Sequence, residues 1–431
     1  MKSSTSLVAL AALVLGIAPV VTRAAEPPKP ALKGYFAYKP ARAKDVEDLK
    51  GRIGSNLTNI KQLPLWNYTW QASRDNNVYT GTMVGSDPFS QHLTTTVPTY
   101  VVPVIIQTNT IGTNVNLSTG IISTTPGGTR FDPTAPDYGC LSAPNNVPVT
   151  LFQQSPLLYN ANFNFGGTPV GTTQYLDAFQ RSEFWDEIGA SVYSPYHLKL
   201  TPSVLPPVFI NVPPQYGTTL PQTVYPACGP TAIVDINWFD TYITNQVLPF
   251  LSRYGVNPST FPILFVHDVV WAGAATNLAE CCILGYHGAT GAPVQTYSPA
   301  DFDSTGLFGT NTLDTAVLSH EIAEWANDPF GNNLVPAWGG TGQVPPGVCQ
   351  GNLEVGDPLS GTDAPRIYMP NGFTYHLQEL AFFSWFMGQP SIGLHGWYSD
   401  NGSFLTDAGP VCGSFPSTTS AQKELKIVVV K

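Results

Sequence analysis

The chain has 431 residues, with 19 Lys and Arg against 29 Asp and Glu, and a formal net charge of −10. Only 11% of its residues are charged, against roughly 25% in a typical soluble domain. No block of Lys or Arg stands in it, which argues against nucleic acid and anionic membrane surfaces as partners. Thirty-nine glycines and 40 prolines, with 43% hydrophobic and 12% aromatic residues, suit short strands joined by turns around a real core.

Residues 1–24 read as a secretory signal peptide. Lys2 supplies the positive start, Leu7 to Val21 is an apolar run, and Thr22-Arg23-Ala24 puts small residues at the −3 and −1 positions of a cleavage site. The run is shorter than the roughly 20 residues a membrane span needs. No membrane span is expected after cleavage, and loss of Lys2 and Arg23 would take the net charge from −10 to −12. The expected location is secreted, extracellular or periplasmic.

Residues 25–60 form a Pro/Lys/Ala-rich arm, expected to lie on the surface. Residues 61–215 read as a β-rich region: runs such as Thr99 to Ile106, Val149 to Phe152 and Val208 to Val212 are β-branched or aromatic and are bounded by turn residues. One helix is expected within it, over Thr173 to Ile188. Residues 216–431 change character. Ile233 to Tyr254 has apolar positions three and four apart, as in an amphipathic helix, and Phe261 to Val270 is an apolar run of buried-strand length. The fold class is therefore α+β: a β-rich N-terminal half and a C-terminal α/β layer, divided within the Pro-rich stretch 202–230.

Six cysteines, Cys140, Cys228, Cys281, Cys282, Cys349 and Cys412, make disulfides the expectation in an oxidising compartment. Spacing does not choose their pairing, although adjacency argues against a bond between Cys281 and Cys282. No C-x-x-C pair exists, so thiolate zinc is not expected.

The most informative segment is Thr312 to Asn327. Thr312 is placed to cap a helix, Asp314 falls in its first turn, and Pro329 stops it. Leu313, Val317, Leu318, Ile322, Trp325 and Ala326 cover most of the circumference, the pattern of a buried helix. Into it the sequence places His320, Glu321 and Glu324. His320 and Glu324 are four apart and share a face. A buried carboxylate needs a partner, and no Lys or Arg lies in the helix. A divalent cation held by His320 and Glu324 would supply one, with Glu321 as the catalytic base acting on a metal-bound water. Zinc is the expected cofactor; the carboxylate-rich set also leaves room for Mn, Fe or Ca. A third ligand is expected from Glu354 or Asp357, in the turn-rich segment 353–358, with His287 and His376 as further candidates.

Other chemistries fare worse. In Ser360 to Pro365 an Asp363 stands where a nucleophilic serine would belong, and no G-x-S-x-G elbow is present. His267-Asp268 at a strand end reads as a satisfied polar pair, and the aromatic stretch Phe373 to Phe386 reads as core before it reads as a sugar cleft.

The segment HEIAEWANDP, residues 320–329, resembles the zincin helix of exported bacterial metallopeptidase-like proteins. The order CCILGYHGA (281–289), SHEIAEWANDPFG (319–331) and NLEVGDP (352–358) resembles, distantly, the exordium/phosphate-induced protein family of plants, which lacks the His-Glu pair. The likeness covers about 100 residues, from about 260 to 360. It implies a zincin-like character for the C-terminal layer and an extracellular or cell-envelope protein. Two functions follow as expectations. One is a secreted metal-dependent hydrolase, a peptidase, taking a peptide or cell-wall polysaccharide substrate. The other is a non-catalytic extracellular protein, exordium-like and with carbohydrate as a candidate ligand, in which the same residues hold a structural ion or a hydrogen-bond network.

Overall fold

The computed structural model describes residues 32–39, 62–224, 227–363, 365–407 and 412. The expected signal peptide and most of the arm lie outside the described residues. Strands dominate an α+β fold, as expected.

A 13-stranded mixed sheet runs through the described residues. Its relevant strands are β1 (Tyr35–Lys39), β2 (Thr94–Gln107), β3 (His197–Val204), β4 (Thr231–Asp235), β5 (Phe261–His267), β6 (Val269–Ala272), β7 (Cys281–Thr290) and β8 (Gln295–Phe302). They lie in the order β3-β2-β5-β8-β7-β6-β4, and three further strands extend the β4 edge. β2 pairs directly with β5, so strands from 61–215 and 216–431 share one sheet. β5 and β8 are parallel, β8 and β7 antiparallel, and β7 also takes β1 in parallel with Phe36 opposite Gly285.

Alternation along β5 divides the core between the two sheet faces. Phe261, Ile263 and Phe265 join one apolar cluster; Leu264 and Val266 join the other. The first face is covered by α1 (Tyr175–Glu183) and α3 (Ala316–Asn327), the second by the helical run that begins with α2 (Ile236–Tyr242). Phe261 stacks on Trp325 of α3 with ring centroids 3.7 Å apart, locking helix to sheet.

Several boundaries differ from expectation. Ile233 to Asp235 belongs to β4, and Asp235 caps α2 by accepting from the Trp238 N–H. The apolar run Phe261 to Val270 is broken at Asp268, whose φ of 54° turns β5 into β6. Val149 to Phe152 is helical, with Pro148 at the first helical position, where a missing N–H costs nothing. α3 starts at Ala316, and Thr312 does not cap it. Asp314 is the cause: at φ 44° it accepts from the Thr315 and His376 N–H groups and pairs with the His376 ring at 2.6 Å, which takes it out of the helix.

The cysteines form three disulfides: Cys140–Cys228, Cys349–Cys412 and, contrary to expectation, Cys281–Cys282. A cis peptide joins this last pair and brings their Cα atoms to 3.0 Å, closer than the ~3.8 Å of a trans link. No helix among the described residues is long and apolar enough to cross a membrane.

Candidate metal centre

Every residue of α3 is buried, including His320, Glu321 and Glu324. The helix lies across β7 and β8, and glycine makes the approach possible. A Cβ on Gly285 of β7 would fall 2.8 Å from Glu321 Cγ and from Val317 Cγ1. The G-Y-H-G segment therefore does two things. It lets the helix down onto the strand, and it delivers His287 from the strand to the acids of the helix.

His320 is held tightly. The Phe36 ring of β1 stacks on it, centroids 3.8 Å apart and planes at 18°. Gly356 presses on it as well, since a Cβ there would sit 2.3 Å from Nδ1. Neither ring nitrogen has a hydrogen-bond partner. Nε2 lies 2.9 Å from Glu324 Oε1 and 3.5 Å from Asp357 Oδ1, without the alignment a hydrogen bond needs. Donors of a tetrahedral ion with bonds near 2 Å stand about 3.3 Å apart. Glu324 Oε1 also accepts from the Gly356 N–H at 3.1 Å, and Asp357 Oδ2 accepts from Gln350 Nε2 at 2.7 Å. Two of the acids are thus oriented by groups behind them, as metal ligands are.

His287 faces the same acids from the strand. Its Nε2 is 3.1 Å from the Asp328 carbonyl, which can only accept, so Nε2 carries the proton. Its Nδ1 then points a lone pair at Glu321 Oε2, 3.4 Å away, and Glu324 Oε2, 3.7 Å away. Glu354 Oε2 lies 3.9 Å from His287 Nε2, and neither Glu354 oxygen has a hydrogen-bond partner. Glu321 Oε1 lacks one too.

Four carboxylates and two imidazoles are therefore gathered where water does not reach, and among the described residues no Lys or Arg forms an ion pair with any of them. The electrostatics reflect it. Burial and the Glu324 charge push the Glu321 and Glu354 carboxyls well above the usual range. Burial raises Asp357 to about 6 and lowers His287 to about 4. Burial opposes a charge on His320, but the Glu324 carboxylate beside it lifts the ring to about 10. Burial would raise Glu324 too; the His320 imidazolium overrides it and holds Glu324 below the carboxylate range.

Two three-residue sets offer ligand atoms within 4.8 Å of one another: His320, Glu324 and Asp357, and His287, Glu324 and Glu354. Of the six sequence-derived ligand candidates, His320, Glu324, Glu354, Asp357 and His287 reach the cluster, but Glu354 groups with His287, and Asp357 is the one that joins His320. His376 does not reach it, being engaged by Asp314. Phe36, Gln350 and the Asp328 carbonyl had no sequence signal, because only the fold brings them within reach of residues 7 to 284 positions away.

A second acidic group, Asp137, Cys140 and Asp268, also meets the distance criterion, but Cys140 is disulfide-bonded and offers no thiolate. Ser304 Oγ donates within it, and His267 Nε2 lies 3.0 Å from that hydroxyl. Both acids approach His267 at Nε2 and not at Nδ1, so no serine triad is oriented there. The aromatic stretch 373–386 is largely core: Tyr375, Phe382, Phe383, Trp385 and Phe386 are buried.

The chain matches no family model, no curated protein and no solved structure.

Proposed function

We propose that the chain is an exported metal-dependent hydrolase of the peptidase class, with its chemistry on α3. The observation that carries this reading is the convergence of His320 Nε2, Glu324 Oε1 and Asp357 Oδ1 without hydrogen bonds to the imidazole. A divalent cation held there supplies Lewis acidity and makes a bound water acidic near neutral pH. Gln350 and the Gly356 N–H fix the two acids in place. Glu321, adjacent to His320 and with Oε1 unpartnered, takes the proton from the attacking water. Export is supported by the signal-like first 24 residues and by three disulfides.

The test is hydrolysis of a mixed fluorogenic peptide set by the purified, zinc-loaded chain, with metal counted in parallel. Glu321→Gln is expected to keep its metal and lose at least about 10²-fold in turnover. Turnover that survives the substitution removes Glu321 as the base.

Complete burial favours a second reading, in which the residues hold a structural ion in a non-catalytic extracellular protein. In that case the loaded chain hydrolyses nothing, and chelation lowers its melting temperature.

A further inference from the structure

We propose that the cluster holds two divalent cations bridged by Glu324; this rests on reading the cluster as a metal centre. The two three-residue sets have one member in common, and Glu324 turns a different oxygen to each. Oε1 faces His320 at 2.9 Å, and Oε2 faces His287 at 3.7 Å. A carboxylate divided in this way spans ions about 3.5–4 Å apart, the separation of paired hydrolytic metals.

Charge and lone pairs both argue against a single ion. One divalent cation offsets two of the four carboxylates Glu321, Glu324, Glu354 and Asp357; a pair offsets all four, and no Lys or Arg among the described residues takes a share. An ion in the His320 set would leave Glu354, 1% exposed, with both oxygens unpartnered. It would also leave His287 Nδ1 3.7 Å from Glu324 Oε2 with no cation between them. A second ion among His287, Glu324 and Glu354 would take one donor atom from each of them. The first position then has His320 and Asp357 as its own ligands, and the second has His287 and Glu354. Three carboxylates and two imidazoles make a mixed donor set that suits Mn2+ and Zn2+.

The experiment is metal counting by mass spectrometry on chelator-stripped chain reloaded with Zn2+ and, separately, Mn2+. Two ions per chain are expected. Asp357→Asn and Glu354→Gln are each expected to retain one, and Glu324→Ala neither. Circular dichroism checks that each variant is folded, and the count on the unmodified chain decides the proposal even if none is. One ion per chain overturns the proposal and leaves the hydrolase reading standing. No ion overturns both. Two ions with no Glu321-dependent hydrolysis support the proposal and overturn the hydrolase.

Discussion

At the scale of single residues, the interior is unusual for how many acids it holds without cations. Beyond the cluster, burial raises Glu183 to about 8, although Asn327 and the Phe383 N–H donate to it. Burial and the neighbouring Glu379 charge raise Asp400 to about 8 as well. Both are acids whose folded value exceeds the ordinary value of about 4. Between pH about 4 and about 8 the folded chain keeps protons that the unfolded chain has released, so rising pH costs stability across that window. The melting temperature of metal-free protein is therefore expected to fall from pH 5 to pH 8, and Glu183→Gln to flatten the fall. A melting temperature that climbs over the same interval would contradict the assignment. With metal present the dependence reverses at the cluster, since its acids must lose protons to bind and affinity grows with pH.

At the scale of elements, the centre depends on the distance between α3 and β7, and Gly285 sets it. Gly285→Ala places a methyl 2.8 Å from Glu321 Cγ and Val317 Cγ1. Overpacking of this kind costs about 1–3 kcal/mol. The variant is expected to melt lower and to bind metal more weakly, whereas Gly351→Ala, with open space on all sides but one backbone oxygen at 3.8 Å, should do neither. Equal effects at the two positions would mean that helix–strand spacing is not what matters. The same elements show what was legible in the sequence. The apolar circumference of α3 and its His320/Glu324 spacing were readable because helical period and burial are local properties. The start of α3 was not, because Asp314 is captured by His376, 62 residues on. Nor was the division of Glu354 and Asp357 between two imidazoles, since the two residues separating them reveal nothing about which way a loop will turn each side chain. The Cys281–Cys282 bond was misread because adjacency was taken to argue against it.

At the scale of the whole molecule, one sheet draws its strands from Tyr35 to Phe302. β2 sits against β5, and β1 crosses from the N-terminal arm to β7. β1 is held by parallel pairing, by the Lys39–Asp240 ion pair, and by Gln343, which accepts from the Phe36 N–H and donates to its carbonyl. Phe36→Ala is expected to speed the stripping of metal by a chelator at least several-fold while leaving the metal count unchanged. An unaltered stripping rate would mean that the ring does not govern access. The arrangement has a consequence for access to the cluster. A five-residue strand near the N-terminus covers the imidazole of a cluster assembled by residues 287 to 357, so the chain carries its own cork. Withdrawing it would leave the sheet order from β3 to β4 intact and uncover the imidazole beneath.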